Sequence, residues 1–453
     1  MTLKHLAWRR EASALAGIAT AVSLTMFAQL SISAIETVIV GRLGAAALAG
    51  TALALSLYAL VFLFTLGIVT ALTPIGAAAI GRGDAENFRR IGQQGILIGL
   101  AVSVPGMALL LAAVPLARAL LGAGPVADGL AAYLHGAAWG LPAWVVYVAV
   151  RCLAIAGGQV RTTTAIMLAA IPVYASLAWA LVFGNAGLPK FGVFGAGLAY
   201  AITAYAALLL LAALLRARPA SVLASVFRRP WSFDGPLCRA ILRLGLPFAC
   251  RIVLREGVLP AAGVILAPFG GTILAAHAIA SRATELAGVF AFGISSAANV
   301  RVSLALGAAN ATPSPRQRGW IAILLASLVS AIAASLLILL PSTITAWFLG
   351  QTHSPAARAA ATLLPVAGIL LFLDGVRSAP GGALSALRDA KAPLLISLFG
   401  AWIVGLPLGW LLARQTAAPA LGLWCGLAIG GACTTALYLV RWYRSEVKQG
   451  LLF

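Results

Sequence analysis

Apolar residues fill this chain in long unbroken runs, and polar positions gather in short clusters between them. A bilayer core takes about 20 apolar residues per helical span. Runs of that length lie near residues 13–34, 46–80, 90–121, 128–157, 162–184, 192–215, 240–268, 272–307, 319–349, 356–386, 392–413 and 419–440. The pattern therefore predicts an all-α polytopic membrane protein of twelve transmembrane helices, with no stretch left for a soluble domain. Pro74, Pro142, Pro172, Pro247, Pro260, Pro365, Pro393 and Pro407 fall inside runs and predict kinks or hinges.

The pattern also repeats. A shift of 226 residues, half the chain, places Gly44, Gly67 and Gly81 on Gly270, Gly293 and Gly307. Six spans per half is an even number, so the repeat is parallel, with both halves starting on one side of the membrane. This predicts an N-terminal six-helix lobe over 1–215, a cytoplasmic linker over 216–239, and a C-terminal six-helix lobe over 240–453 related to the first by a pseudo-twofold axis. The linker holds Arg216, Arg218, Pro219, Arg228, Arg229 and Asp234 and is the longest polar connection.

Composition and charge fix the solvent and the topology. Of the 453 residues, 62% are hydrophobic and 9% charged, against roughly a quarter charged in soluble domains. The net charge of +20 is not a stripe on a folded domain, which nucleic-acid binding requires. The basic residues sort by side: Arg9, Arg10, Arg89, Arg90, Arg228, Arg229 and Lys448 are typical of one, and only Arg42, Arg118, Lys190, Arg358 and Arg414 lie on the other. By the positive-inside rule the crowded side is cytoplasmic, with both termini there, in the inner membrane of a bacterial cell. The partner so implied is the lipid bilayer, and no nucleic acid. Five cysteines lack metal-ligand spacing and read as packing residues.

Ionisable residues inside spans are costly, so they default to functional candidates. The acids are Glu36, Glu256, Glu285 and Asp374; the bases are Arg151, Arg251, Arg255, Arg282 and Arg377. Residues three apart share a helix face, which pairs Arg282 with Glu285 and Asp374 with Arg377. Such pairs can be structural glue or part of a substrate path. Arg151, Arg251 and Arg255 read as packed against carbonyls or snorkelling. Glu36 and Glu256 lack an opposite charge one turn away, and removal from water favours the protonated form of a carboxylate, as a proton carrier needs. His135 and His277 read as hydrogen-bonded packing residues.

The segment Ile35-Glu36-Thr37-Val38-Ile39-Val40-Gly41-Arg42-Leu43-Gly44 resembles the multidrug and toxic compound extrusion (MATE) family, NorM branch. The likeness continues through Ala71-Leu72-Thr73-Pro74, Gly192–Gly197, Ala275-Ala276-His277 with Arg301-Val302, and Asp374-Gly375 with Gly381-Gly382-Ala383-Leu384. The resemblance implies two six-helix lobes around a central cavity and a secondary active exporter, a monomer without cofactor. It would move cationic or amphipathic drugs against H⁺ or Na⁺ by alternating access. The ion-coupling acids so implied are Glu36, Glu256 and Asp374, the last two also as candidate Na⁺ ligands. The sequence departs from the family where it has Glu36 for the usual Asp, and Tyr174 and Ala178 for asparagines of the fifth helix. Arg282, Glu285 and Arg377 stand where uncharged polar residues are usual, and with Tyr174 they are substrate-cavity candidates. A guanidinium beside Asp374 takes the place of a bound cation, which favours H⁺ over Na⁺.

A lipid-linked precursor flippase of the same superfamily is the alternative, since five intramembrane arginines suit a pyrophosphate-bearing cargo. A membrane-embedded transferase would need clustered carboxylates or a nucleophile with its base, and the sequence holds neither, so no enzyme is expected. A repeat with buried acids on separate helices suits a rocking carrier better than a passive channel.

Overall fold

The structure, a computed structural model, describes residues 2–122, 124–217, 221–308, 311–349 and 354–445. Arg218, Pro219 and Lys448 lie outside the described residues. Among the described residues all regular structure is helical, as expected where lipid offers backbone groups no hydrogen bonds and each segment must satisfy its own. Twelve helices are long and apolar enough to cross a membrane, from Trp8–Gly41 to Pro419–Arg444. They match the twelve runs of the sequence, and we number them first to twelfth span.

The departures from straight helices have local causes. The second span, Ala45–Gly81, is interrupted at Ala71, three residues before Pro74, whose ring lacks an N–H and crowds the preceding turn. The sequence reading carried the ninth span to residue 349, but its helix stops at Leu339, and a separate short helix, Pro341–Leu349, follows. Pro341 cannot continue the hydrogen-bond ladder of the helix before it. The eleventh span, Lys391–Gln415, winds as a π-helix over Leu398–Gly405, ahead of Pro407; π-bulges accommodate such breaks in the ladder.

Packing divides the chain into two compact units, 24–249 and 1–23 with 250–453. The boundaries fall inside the first and seventh spans rather than in the linker. Each unit thus contains five whole spans and parts of two others. Matched glycines of the repeat explain how. In one unit a Cβ at Gly67 would collide with the backbone of Ala249, on the N-terminal stretch of the seventh span. In the other a Cβ at Gly293 would collide with Ala19 and Ser23, on the N-terminal stretch of the first. Small residues let helix backbones meet closely in membranes, and positions 67 and 293 provide the same contact twice. Gly44 and Gly270, also paired by the repeat, share φ values of 112° and 109° at the starts of their helices.

In unit 24–249 the fourth span is the axis, with 89% of its most apolar window buried. In the other unit Leu15 and Ala19 sit in one core with Ala297, Val302, Ala326, Ala383 and Trp442. Glu11, 3% exposed, lies beside them. Arg301 grips its carboxylate with Nε at 2.7 Å and Nη2 at 2.5 Å, and Arg318 approaches at 3.6 Å. A buried acid is tolerated when paired in this way.

Candidate functional site

Unit 24–249 carries its candidate site on five spans. Glu36, near the C-terminal end of the first, is 1% exposed. The fourth span brings Tyr133 and Trp144, the fifth Tyr174, the second Tyr58 and the sixth Tyr200. The glycines of the Gly192–Gly197 segment set this convergence: Gly195 meets the Leu181 carbonyl of the fifth span, and Gly197 meets the Tyr133 carbonyl of the fourth. A side chain at either position would hold the three helices apart.

Tyr200 is the hub of the ring cluster, 5.5 Å from Tyr58, 5.5 Å from Trp144 and 6.3 Å from Tyr174, centroid to centroid. The hydroxyls of Tyr133 and Tyr174 approach the Glu36 carboxylate, and those of Tyr58 and Tyr200 lie within its electrostatic reach. Yet Glu36 Oε1, the hydroxyls of Tyr58, Tyr133 and Tyr174, and Trp144 Nε1 are buried without a completed hydrogen bond. Buried polar groups ordinarily find partners. A carboxylate set among aromatic side chains, once ionised, is also an arrangement that attracts a cation, through charge and ring quadrupole together.

Arg151, two turns below Trp144, is 7% exposed, and its Nε lacks a partner. It is packed inside its unit, with Tyr147 and Cys152 within its electrostatic reach.

The other unit holds the remaining candidates as ion pairs. Arg377 donates from Nε to Asp374 Oδ1 at 2.7 Å, and its Nη2 lies 2.5 Å from the same oxygen. Arg282 Nη1 meets Glu285 Oε2 at 2.8 Å. Both pairs follow the three-residue spacing. Glu256 has no opposite charge one turn away, but its sequence neighbour Arg255 places Nε 3.6 Å from Glu256 Oε1. Arg377 also lies within electrostatic reach of Glu256 and Tyr438, so the structure brings Glu256, Asp374 and Arg377 together, while Arg282 and Glu285 pair on the eighth span. The Arg282 side chain is 69% exposed and that of Glu285 45%. Lipid exposure of a guanidinium within a span is costly. Among the described residues no three His, Cys, Asp or Glu side chains gather as a metal site.

His277 is held on both sides. Trp424 Nε1 donates to its Nδ1 at 3.2 Å, and its Nε2 sits 3.1 Å from the Leu259 carbonyl. This fixes the tautomer with the proton on Nε2 and matches its reading as a packing residue. Sequence reasoning named Tyr174 but missed Tyr58, Tyr133 and Tyr200 around Glu36, and it missed the grip of Arg301 on Glu11. Four of the chain's eight tyrosines converge on one acid, and their scarcity in so apolar a chain was the available signal.

Known proteins share this sequence and fold. The MatE family matches residues 21–180 and 260–411. A probable multidrug resistance protein NorM of Rhodopseudomonas palustris is 36% identical over 97% of this chain and 93% of its own length. Its namesake in Bradyrhizobium diazoefficiens is 34% identical over 94% of this chain and 91% of its own. Among solved structures, a multidrug resistance MATE family transporter in an outward-facing conformation superposes with a TM-score of 0.87, at 17% identity, over 96% of this chain and 95% of that one. A eukaryotic MATE transporter gives a TM-score of 0.83 at 20% identity, over 98% of this chain and 97% of that one. Twelve membrane-spanning helices in this fold, with near full-length relatives above 30% identity, place the chain in the MatE family, whose members are multi-pass membrane transporters and not enzymes.

Proposed function

We propose that this chain is a secondary active multidrug exporter of the bacterial inner membrane, with both termini cytoplasmic, exchanging cationic or amphipathic drugs for protons by alternating access. The observation that carries the reading is Glu36, buried amid four tyrosines with Oε1 unpartnered. The ionised carboxylate and the ring faces hold a cation. A proton arriving at Glu36 removes the charge that holds it, and the cation leaves. One carboxylate serving both occupants makes the exchange obligatory.

Glu256 and Asp374 complete the coupling in the 250–453 unit. Arg377 already supplies a permanent positive charge at Asp374 Oδ1, which leaves less oxygen for Na⁺, an ion that needs several oxygen ligands. A proton needs one. The bodies that we take to move are the two packing units, which follow the repeat-based lobes 1–215 and 240–453 except at the exchanged stretches of the first and seventh spans. We take the working unit to be a monomer.

The test is efflux of one cationic dye from proteoliposomes under an imposed pH gradient or an imposed sodium gradient. The pH gradient drives efflux, and Glu256→Gln and Asp374→Asn insert normally but abolish it. Efflux on a sodium gradient with pH clamped on both sides would overturn proton coupling; wild-type rates in both variants would remove those acids from the mechanism. The second reading, a flippase for a lipid-linked precursor, is favoured by Arg151, whose buried Nε suits an anionic cargo. It predicts no dye efflux under either gradient.

A further inference from the structure

The segment that joins the halves is fixed to its unit by side chains of the third span, and it presents a surface of one chemistry. Gln93 Nε2 donates to the Arg228 carbonyl at 2.9 Å, Arg89 Nη1 to the Pro230 carbonyl at 3.3 Å, and Gln94 Nε2 to the Ser232 carbonyl at 2.6 Å. Gln94 Oε1 accepts from the Asp234 amide at 3.2 Å, and Arg90 pairs with the Asp234 carboxylate. Val226 and Leu223 are buried against Gly92 and Gly157. A loose tether has no need of a carbonyl anchored at every second residue.

This backbone leaves outward a basic and aromatic face. Between Arg216 and Arg243 the chain has six arginines and one acid, and that acid, Asp234, is taken by Arg90. Arg229, Arg239 and Arg243 are exposed. Among the described residues no acid pairs with any of the three. Beside them Phe233 is 77% and Trp231 39% exposed. On the seventh span Arg239, Arg243 and Leu246 share one exposed stripe at helical spacing. Its change from arginine to leucine marks where headgroups give way to hydrocarbon.

We propose that this surface, built of Arg229, Arg239 and Arg243 with Trp231 and Phe233, is a binding site for anionic phospholipid headgroups. The positive-inside rule asks for basic residues on this side but not for exposed aromatics held at the same place on an anchored backbone. Aromatic rings partition to the interface, and clustered arginines next to a span attract anionic lipid. The inference is independent of what the protein transports.

The test titrates the purified full-length protein in detergent with phosphatidylglycerol or phosphatidylcholine of matched acyl chains and counts bound lipid by native mass spectrometry. Each arginine near an anionic surface contributes roughly fivefold in affinity, so the wild type prefers phosphatidylglycerol by about tenfold or more. Replacing Arg229, Arg239 and Arg243 together by Gln brings the preference close to one, and replacing them by Lys keeps it. Trp231→Ala with Phe233→Ala weakens both lipids alike. Where loss of arginine disturbs insertion, the wild type alone carries the test, since its preference falls as salt shortens the screening length. Equal binding of the two lipids, a preference that ignores salt, or a full preference in the Gln variant overturns the proposal.

Discussion

Replacing Glu36 by Gln keeps nearly the same volume in a fully buried place and removes one negative charge. A cation seated about 4 Å from the carboxylate, at an effective dielectric constant of about 20, gains about 4 kcal/mol from it. Loss of the charge therefore weakens a cationic dye by up to about a thousandfold, at about 1.4 kcal/mol per decade. The rings of Tyr58, Tyr174, Tyr200 and Trp144 stay in place and retain about 0.5–2 kcal/mol of cation–π attraction, so weak binding survives. The assay is fluorescence anisotropy of a cationic dye on the purified protein across the neutral pH range, with a neutral dye of similar size as control. Only the ionised carboxylate holds the cation, so wild-type affinity rises with pH, by at most about tenfold per unit while one proton is exchanged. In Glu36→Gln the affinity is low and flat in pH, and the neutral dye binds as before. A Gln variant with wild-type affinity and an unchanged pH slope would refute the assignment.

Three further outcomes follow from the geometry. Arg377→Gln frees Asp374 Oδ1 and gives dye efflux a sodium dependence absent from the wild type; sodium-gradient efflux that stays at background shows the arginine is not what excludes the ion. Glu11→Ala leaves Arg301 and Arg318 without their shared anion and costs about 3–5 kcal/mol of stability, read from denaturation in detergent; an unshifted transition contradicts the pairing. Gly67→Leu drives a side chain into the Ala249 backbone and costs about 1–3 kcal/mol or more by overpacking, and an unchanged melting temperature would mean the seventh span yields there.

The spans were legible because the bilayer imposes one length on every crossing helix, and that length is written as an apolar run. The end of the ninth span was not, since residues 340–349 are as apolar as those before them and only Pro341 marks the break. Pairs three residues apart, Arg282 with Glu285 and Asp374 with Arg377, were legible because helix geometry alone joins them. Glu11 escaped notice because it precedes the first apolar run and its partner is 290 residues away. Apart from Tyr174, which the family resemblance singled out, the tyrosine cluster escaped for the same physical reason: its members sit on four spans, and no periodicity links positions on different helices. Glu36 itself stood out only by its charge in an apolar run. What surrounds it had to be seen.

The division of the first span between two packing units has a consequence for synthesis. Residues 2–23 pack in the unit whose other members begin at residue 250, with Ser23 Oγ bonded to the Val289 carbonyl at 3.2 Å. At a ribosomal rate of about 5–20 residues per second, Arg301 follows Glu11 by about 15–60 s. Through that interval the N-terminal stretch of the first span is made but unmated, with Leu15, Ala19 and an unpaired glutamate open to whatever chaperone or protease meets them. A ribosome that stalls between the repeats leaves a fragment that cannot complete either unit. Two half-length chains made from separate messages would have to exchange these stretches between them, so each half alone is expected to be degraded and both together to persist.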